Sequence, residues 1–220
     1  MNWLPGFCEL ITPIMGIAID SHHMNLSSLT SIDNNISIQA LDIINLENNT
    51  SVHELTLFNS SMLKQKIKEF IVKHDLQNAI TVISLHDKTL YEHLGSTQDH
   101  CLLSSDQYCL KSTVLTLPDH TEQHYSSALA YYQLFGYQLL ASDLGLDLVS
   151  ITTRTMTAYH VFKNYKQLWP THTVITTSTE LNSYVQSHID HTLIDANGID
   201  NVTFVTALGL YYIGKNYELA

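Results

Sequence analysis

The run Ile14-Met-Gly-Ile-Ala-Ile-Asp20 has a single charge, and that charge is its last residue. A strand with one solvated face alternates apolar and polar residues, so so apolar a run predicts a strand buried in the centre of a sheet. The acid and the polar Ser21-His22-His23 that follow predict a turn at its end. Met24 to Thr30 and Asn35 to Ile43 come next as partly alternating runs, separated by the turn-prone Ser31-Ile-Asp-Asn-Asn35. The simplest arrangement is a meander of three strands joined by short turns. One more short strand is expected at Leu55 to Phe58.

Beyond the meander the period changes. Met62, Leu63, Ile67, Phe70 and Ile71 recur at helical spacing, with Asn59 or Ser60 placed to cap the start and Lys73 and His74 at the negative end of the helix dipole. Ala79 to Leu85 is a second buried strand. Strand, meander, helix and strand together describe a mixed α/β lobe.

Asp87 to Lys111 has no clean period and is read as a strand followed by an irregular stretch. Ser112 to Leu117 and Gln123 to Ala130 flank Pro118-Asp-His-Thr-Glu122 and predict a hairpin. A helix is expected from Tyr131 to about Leu144, with Leu134, Phe135, Leu139 and Leu140 as core candidates and Gly145 ending it. Leu146 to Ile151 reads as a strand, and Met156, Tyr159 and Phe162 mark a helix capped near Thr153 or Thr155. Thr173 to Thr177 and His191 to Ile194 are expected as short strands around a helix from Glu180 to His188. The last helix carries Phe204, Val205, Leu208, Tyr211 and Tyr212 as an apolar stripe, with Asn201 as its cap.

Charge excludes one broad class of partner. Ten Lys and Arg against 21 Asp and Glu give a formal net charge of −11, the wrong sign for electrostatic capture of nucleic acid or an anionic membrane face. Charged residues are only 14% of the chain, below the roughly 25% of an average soluble domain; Ser, Thr, Asn and His supply much of the polar surface. Cys8, Cys101 and Cys109 form an odd set without a CxxC, which favours a reducing compartment. No window approaches the roughly 20 apolar residues of a membrane helix. Trp3, Leu4 and Phe7 near the start are expected to pack on the domain.

Candidate chemistry is sparse. The 13 histidines invite a metal or acid/base reading. His120 and His124 flank Glu122 across the predicted hairpin, however, and lack the H-E-x-x-H order that puts two imidazoles on one helical face. His188 and His191 straddle a predicted helix end without an evident third ligand, so a His-dependent metal protein is the weakest of three classes considered. Cys101 beside His100 and Asp99 has the atoms of a thiolate site, but neighbours along an extended chain point to opposite faces. No G-x-S-x-G elbow, P-loop or G-x-G-x-x-G is present. A candidate phosphate loop remains at Asp20 and Ser21, where no Gly follows the acid and His22 and His23 crowd the turn.

The order of elements resembles the PilM family, the actin-like proteins of type IV pilus and DNA-uptake (competence) machines, and most of all its short, degenerate members. The residues that carry the resemblance are Ile17-Ala-Ile-Asp20 opening the meander, the helix and strand ending at Leu85, the inserted strand-hairpin-helix unit, Leu146 to Ile151 leading to the Met156 helix, and Ala207-Leu-Gly-Leu210 in the last helix.

The resemblance implies an α/β, actin-like (ribonuclease-H-like) lobe over 14–86 and 150–220, an N-terminal extension over 1–13, and an inserted small α/β subdomain over 87–149. It also implies a truncated second lobe whose remnant lies at about 170–202, since 34 residues, Trp169 to Val202, are too few for the whole of it. It further implies a cytoplasmic protein, attached to the inner membrane through the N-terminal tail of a PilN-like partner held in a groove that involves the insertion. Tyr125, Tyr131, Tyr132, Phe135 and Tyr137 are the candidate groove residues, because aromatic side chains anchor bound peptides. Family members that bind ATP use two phosphate loops, the first corresponding to Asp20 and Ser21 and the second expected on a hairpin between the Met156 helix and the last helix. The missing Gly makes the first a remnant, so no cofactor and no catalysis are expected, with a nucleotide-binding ATPase as the alternative.

Overall fold

The computed structural model describes residues 13–20, 22–32, 35–46, 61–86, 90–95, 105–164, 175–189 and 199–218. β1 (Ile14–Asp20) lies mid-sheet, paired antiparallel with β2 (His23–Ile32) on one side and parallel with β4 (Ile80–His86) on the other. β3 (Asn35–Asn45) pairs antiparallel with β2, with a register shift between Ser28 and Leu29. β8 (Asp147–Thr153) pairs parallel with β4, giving a five-stranded sheet of order β3-β2-β1-β4-β8.

Alternation along β1 explains why its sequence is apolar throughout. Met15, Ile17 and Ile19 point into one core with Ile83 and Leu85 of β4, while Ile14 and Ala18 point to the opposite face, as do Ile80 and Val82. Both faces are covered by helices, and a strand in that position has no solvated side to mark with polar residues. On the first face lies α1 (Ser61–Lys73), which buries Leu63, Ile67, Phe70 and Ile71 at i, i+4, i+7 and i+8. Beside it lies α2 (Tyr131–Leu144), which buries Tyr137, Leu140 and Ala141 in the same core. Gly145 ends α2 in the left-handed region at φ 68°, and the amides of Gly145 and Leu146 donate to Ser142 and Ala141 carbonyls. These bonds close the last turn.

The second face is covered by α3 (Arg154–Asn164), α4 (Ser178–His188) and α5 (Asn201–Glu218). Thr153 caps α3 by accepting the Met156 amide at 3.1 Å. Thr177 and Glu180 form a capping box on α4. The cap of α5 is Asp200, whose carboxylate accepts the Thr203 amide at 3.0 Å and its hydroxyl at 2.6 Å; Asn201, the expected cap, is the first helical residue. Where α3 and α5 cross, a Cβ on Gly209 would sit 2.4 Å from the Thr157 carbonyl oxygen. Only glycine allows that approach.

Between β4 and α2 the chain builds a second sheet from β5 (Tyr91–Gly95), β6 (Tyr108–Thr116) and β7 (Glu122–Ala130). It is antiparallel throughout, in the order β5-β7-β6. Three boundaries therefore differ from the sequence reading. The inserted unit is the three strands alone, because α2 packs with α1 under the main sheet. β8, beginning at Asp147, belongs to the main sheet from its first residue. α4, expected within a remnant of a second lobe, buries Leu181, Tyr184 and Val185 in the same core as α3 and α5. Of the expected strand at 173–177, residues 175–177 are not in a strand. The expected strands at Leu55 to Phe58 and His191 to Ile194, the caps Asn59 and Ser60, and Trp3, Leu4 and Phe7 lie outside the described residues, as do Cys8 and the Asp99-His100-Cys101 cluster.

Candidate functional site

The small sheet meets the lobe at two places. Leu94, Leu115, Leu117 and Tyr125 join the core beneath α3, α4 and α5, and Leu129 joins the core beneath α1 and α2. Between these anchors a cleft of about 170 Å³ opens.

Its walls differ in kind. From β6 it is lined by Cys109, Lys111 and Thr113, and from β7 by Leu129, Ser127 and Tyr125. These are alternate residues, and they pair directly across the two strands, so this wall is one face of the small sheet. From β8 the lining residues are Ser150, Ile151, Thr152 and Thr153, four in succession. Successive side chains of a strand point to opposite faces, so a run of four means that the cleft follows the edge of β8. That edge is the outer one, since β8 is last in the main sheet. Met156 and His160 of α3, Leu134 of α2, Ile213 of α5 and Leu90, just before β5, complete the lining.

One end of the cleft is fixed by a hydrogen-bonded group. The Tyr125 hydroxyl lies 2.6 Å from Thr153 Oγ1 and 3.3 Å from Glu92 Oε2. Thr155 donates to Glu92 Oε1 at 2.9 Å. Burial, together with the Glu92 carboxylate, holds the Tyr125 phenol protonated far above its ordinary range. The group ties β5 and β7 of the small sheet to β8 and α3 of the lobe. Near the other wall His160 is largely buried, its Nδ1 without a hydrogen-bond partner. Burial first, then the charges of Lys163 and Lys111, bring its pKa down to about 4.

The five aromatic residues expected in a groove are not gathered into one. Tyr125 lines the cleft with only 1% of its surface exposed, and Tyr137 lies in the core beneath α2. Tyr131, Tyr132 and Phe135 are exposed on the outer side of α2, where the rings of Tyr131 and Phe135 stack at 6.4 Å. Phe135 and Leu139, expected in the core, are 58% and 66% exposed. Lys111, Ser150 to Thr153, Met156 and His160 were not singled out from the sequence as site residues. The alternation of Cys109, Lys111 and Thr113 marks one face of a strand, but nothing in it shows what that face opposes.

At the candidate phosphate loop, Asp20 Oδ1 accepts the amides of both His22 and His23 at 2.7 Å. The carboxylate closes a polar turn; Ser21 lies outside the described residues. Asp20 also borders a small cavity of about 30 Å³ with Asn25, Ser84, Arg154 and Thr206, room for about one or two waters. His188 Nδ1 lies 2.8 Å from the Tyr184 carbonyl, and its ring stacks on that of Tyr184. Among the described residues no three His, Cys, Asp or Glu side chains are grouped so as to hold a metal, and no helix is long and apolar enough to cross a membrane.

A three-strand antiparallel meander, with two parallel strands added beside its first strand and helices on both faces, defines an α/β protein with an actin-like (ribonuclease-H-like) lobe. No protein-family model matches the chain, and no curated protein matches it significantly. Among solved structures it is similar to a chain of a "PilM-PilN type IV pilus biogenesis complex", at 14% identity and a TM-score of 0.49, over 69% of this chain and 50% of that one. It is also similar to the cytoplasmic domain of EpsL, an inner membrane component of the type II secretion system of Vibrio cholerae, at 8% identity and a TM-score of 0.42, over 66% and 58% of the two chains. RuvC of Thermus thermophilus gives 8% identity and a TM-score of 0.43 over 94% and 96%. The match thus spans about half of the PilM-PilN chain and under two thirds of EpsL.

Proposed function

We propose that this chain is a non-catalytic adaptor of a type IV pilus, DNA-uptake or secretion machine, and that it holds an extended tail of a PilN-like inner-membrane partner in the cleft. The observation that carries the reading is the run Ser150 to Thr153, which presents the edge of β8 to the cleft opposite one face of the small sheet. An incoming strand would add to that edge through backbone hydrogen bonds, and its alternate side chains would meet the Cys109-Lys111-Thr113 wall. The tail supplies the membrane attachment of a protein that stays on the cytoplasmic side. Asp20, used to close its own turn, is not needed for a nucleotide in this role.

Titration of the full chain with cytoplasmic tail peptides from membrane proteins encoded beside it tests the reading. Saturable binding that is lost when Ser127→Trp fills the cleft is expected. Absence of binding at high micromolar peptide would overturn it. Saturable binding of ATP with magnesium, measured by calorimetry, would overturn the adaptor role as stated.

A further inference from the structure

The lining of the cleft does not share the acidic character of the chain as a whole. Asp and Glu outnumber Lys and Arg by 21 to 10, yet among the described residues the lining of the cleft includes Lys111 and His160 and no acid. α3 has no acidic residue along Arg154–Asn164, and it places Lys163 one turn beyond His160. β6 likewise has no acid, and Lys111 is its only charged residue. Glu92, at one end of the cleft, is occupied by the hydroxyls of Tyr125 and Thr155. Lys111 and His160 line the same cleft, and Lys163 lies one helical turn from His160, so the three groups share one region.

Two features of that region are unsatisfied. His160 Nδ1 is buried without a hydrogen-bond partner, which is costly for a polar atom. Two lysine charges converge there, and neither Lys111 nor Lys163 takes part in an ion pair among the described residues. A single carboxylate would answer both, accepting from the imidazole and pairing with Lys111. Resting on the tail-binding reading above, we propose that the cleft selects an extended peptide with an Asp or Glu side chain at the position facing Lys111 and His160. Lys111 pairs directly with Ser127 across the two strands, midway between the Cys109–Leu129 and Thr113–Tyr125 pairs. The carboxylate therefore comes from an internal residue of the bound strand, with apolar or small side chains on either side toward Leu129, Leu134 and Met156. A chain of net charge −11 repels acidic peptides elsewhere on its surface, so this contact gives specificity at one point.

The test uses the full chain and a phage-displayed library of random twelve-residue peptides, counter-selected on the Ser127→Trp chain to discard peptides bound outside the cleft. The retained peptides are expected to share Asp or Glu at one position. Replacing that residue by Gln in the peptide is expected to weaken binding to the unaltered chain tenfold or more. Lys111→Glu, a change at an exposed position, is expected to weaken the acidic peptide similarly and to restore binding of its Lys-substituted form. Cleft-dependent peptides with no shared acid, or equal affinities for the Glu and Gln peptides, would overturn the acidic selection and leave tail capture standing. If no peptide depends on the cleft, both readings fall.

Discussion

Tyr125 and Thr153 meet hydroxyl to hydroxyl at 2.6 Å, and this contact joins the middle strand of the small sheet to the last strand of the main one. Tyr125→Phe keeps the ring and its packing but removes the bonds to Thr153 and Glu92. The expected cost is about 1 kcal/mol, read from urea unfolding, with faster amide exchange along β7 than along β1. Equal exchange in the two strands would show that the contact does not hold the small sheet in place.

Gly209 makes a different kind of demand. Because the obstacle to a Cβ is Thr157 backbone and not a movable side chain, Gly209→Ala must push α3 and α5 apart. Overpacking of this kind costs about 1–3 kcal/mol, whereas an Ala at an ordinary helical site gains stability over Gly. A rise in thermal midpoint for Gly209→Ala would contradict the close crossing.

The two sides of α2 separate cleanly. Tyr132→Ser, Phe135→Ser and Leu139→Ser are each expected to change stability by no more than about 0.5 kcal/mol, as exposed substitutions do. Leu140→Ala, at 5% exposure, is expected to cost about 2–5 kcal/mol. Denaturant midpoints of the four variants decide the matter.

His160 gives the fold an acid-sensitive term. Unfolded, the imidazole takes up its proton near its ordinary value of 6.5; folded, it does so only near 4. Between these values the unfolded chain binds more protons, so folding stability falls as the pH drops through that window. The loss is on the order of 3 kcal/mol once complete. His160→Gln should therefore flatten the decline in unfolding free energy between pH 7 and pH 4.5 relative to the unaltered chain. Asp200 adds a loss at lower pH in both proteins: burial pushes its carboxyl up, but the hydrogen bonds from Thr203 and the Val202 amide outweigh it and hold the pKa below the ordinary value.

The buried strands and α1 were readable because their environments leave a one-dimensional trace. β1 and β4 are covered on both faces, so β1 is apolar up to Asp20 and β4 carries only the small polar Thr81 and Ser84 before its last residue; Leu63, Ile67, Phe70 and Ile71 repeat with the helix. Gly145 likewise announced the end of α2. The buried side of α2 was not readable, because Tyr131, Tyr132, Phe135 and Leu139 make its outer surface as apolar as its inner one. β6 was readable from Ser112 on, as half of the hairpin, but its first part, Tyr108 to Lys111, left little trace for the opposite reason: it is largely exposed, so its side chains do not alternate in burial. The cleft was hidden more deeply. β8 read as a strand, but whether a strand lies in the middle of a sheet or at its margin is settled by pairing with β4 alone, and no local pattern encodes that.

An exposed sheet margin ordinarily invites other sheets, including copies of the same protein, to add on and grow into fibres. Here the small sheet stands over the margin of β8 and leaves a slot between them. A free volume of about 170 Å³ is too small for a folded sheet or a helix roughly 10–12 Å across; in the proposed role it takes a lone, extended segment. In that proposed role the slot would act as a filter on physical state as well as on sequence, and would limit addition of other sheets along β8. A segment captured in this way would give up its freedom on arrival, a cost that lowers affinity for a given contact area.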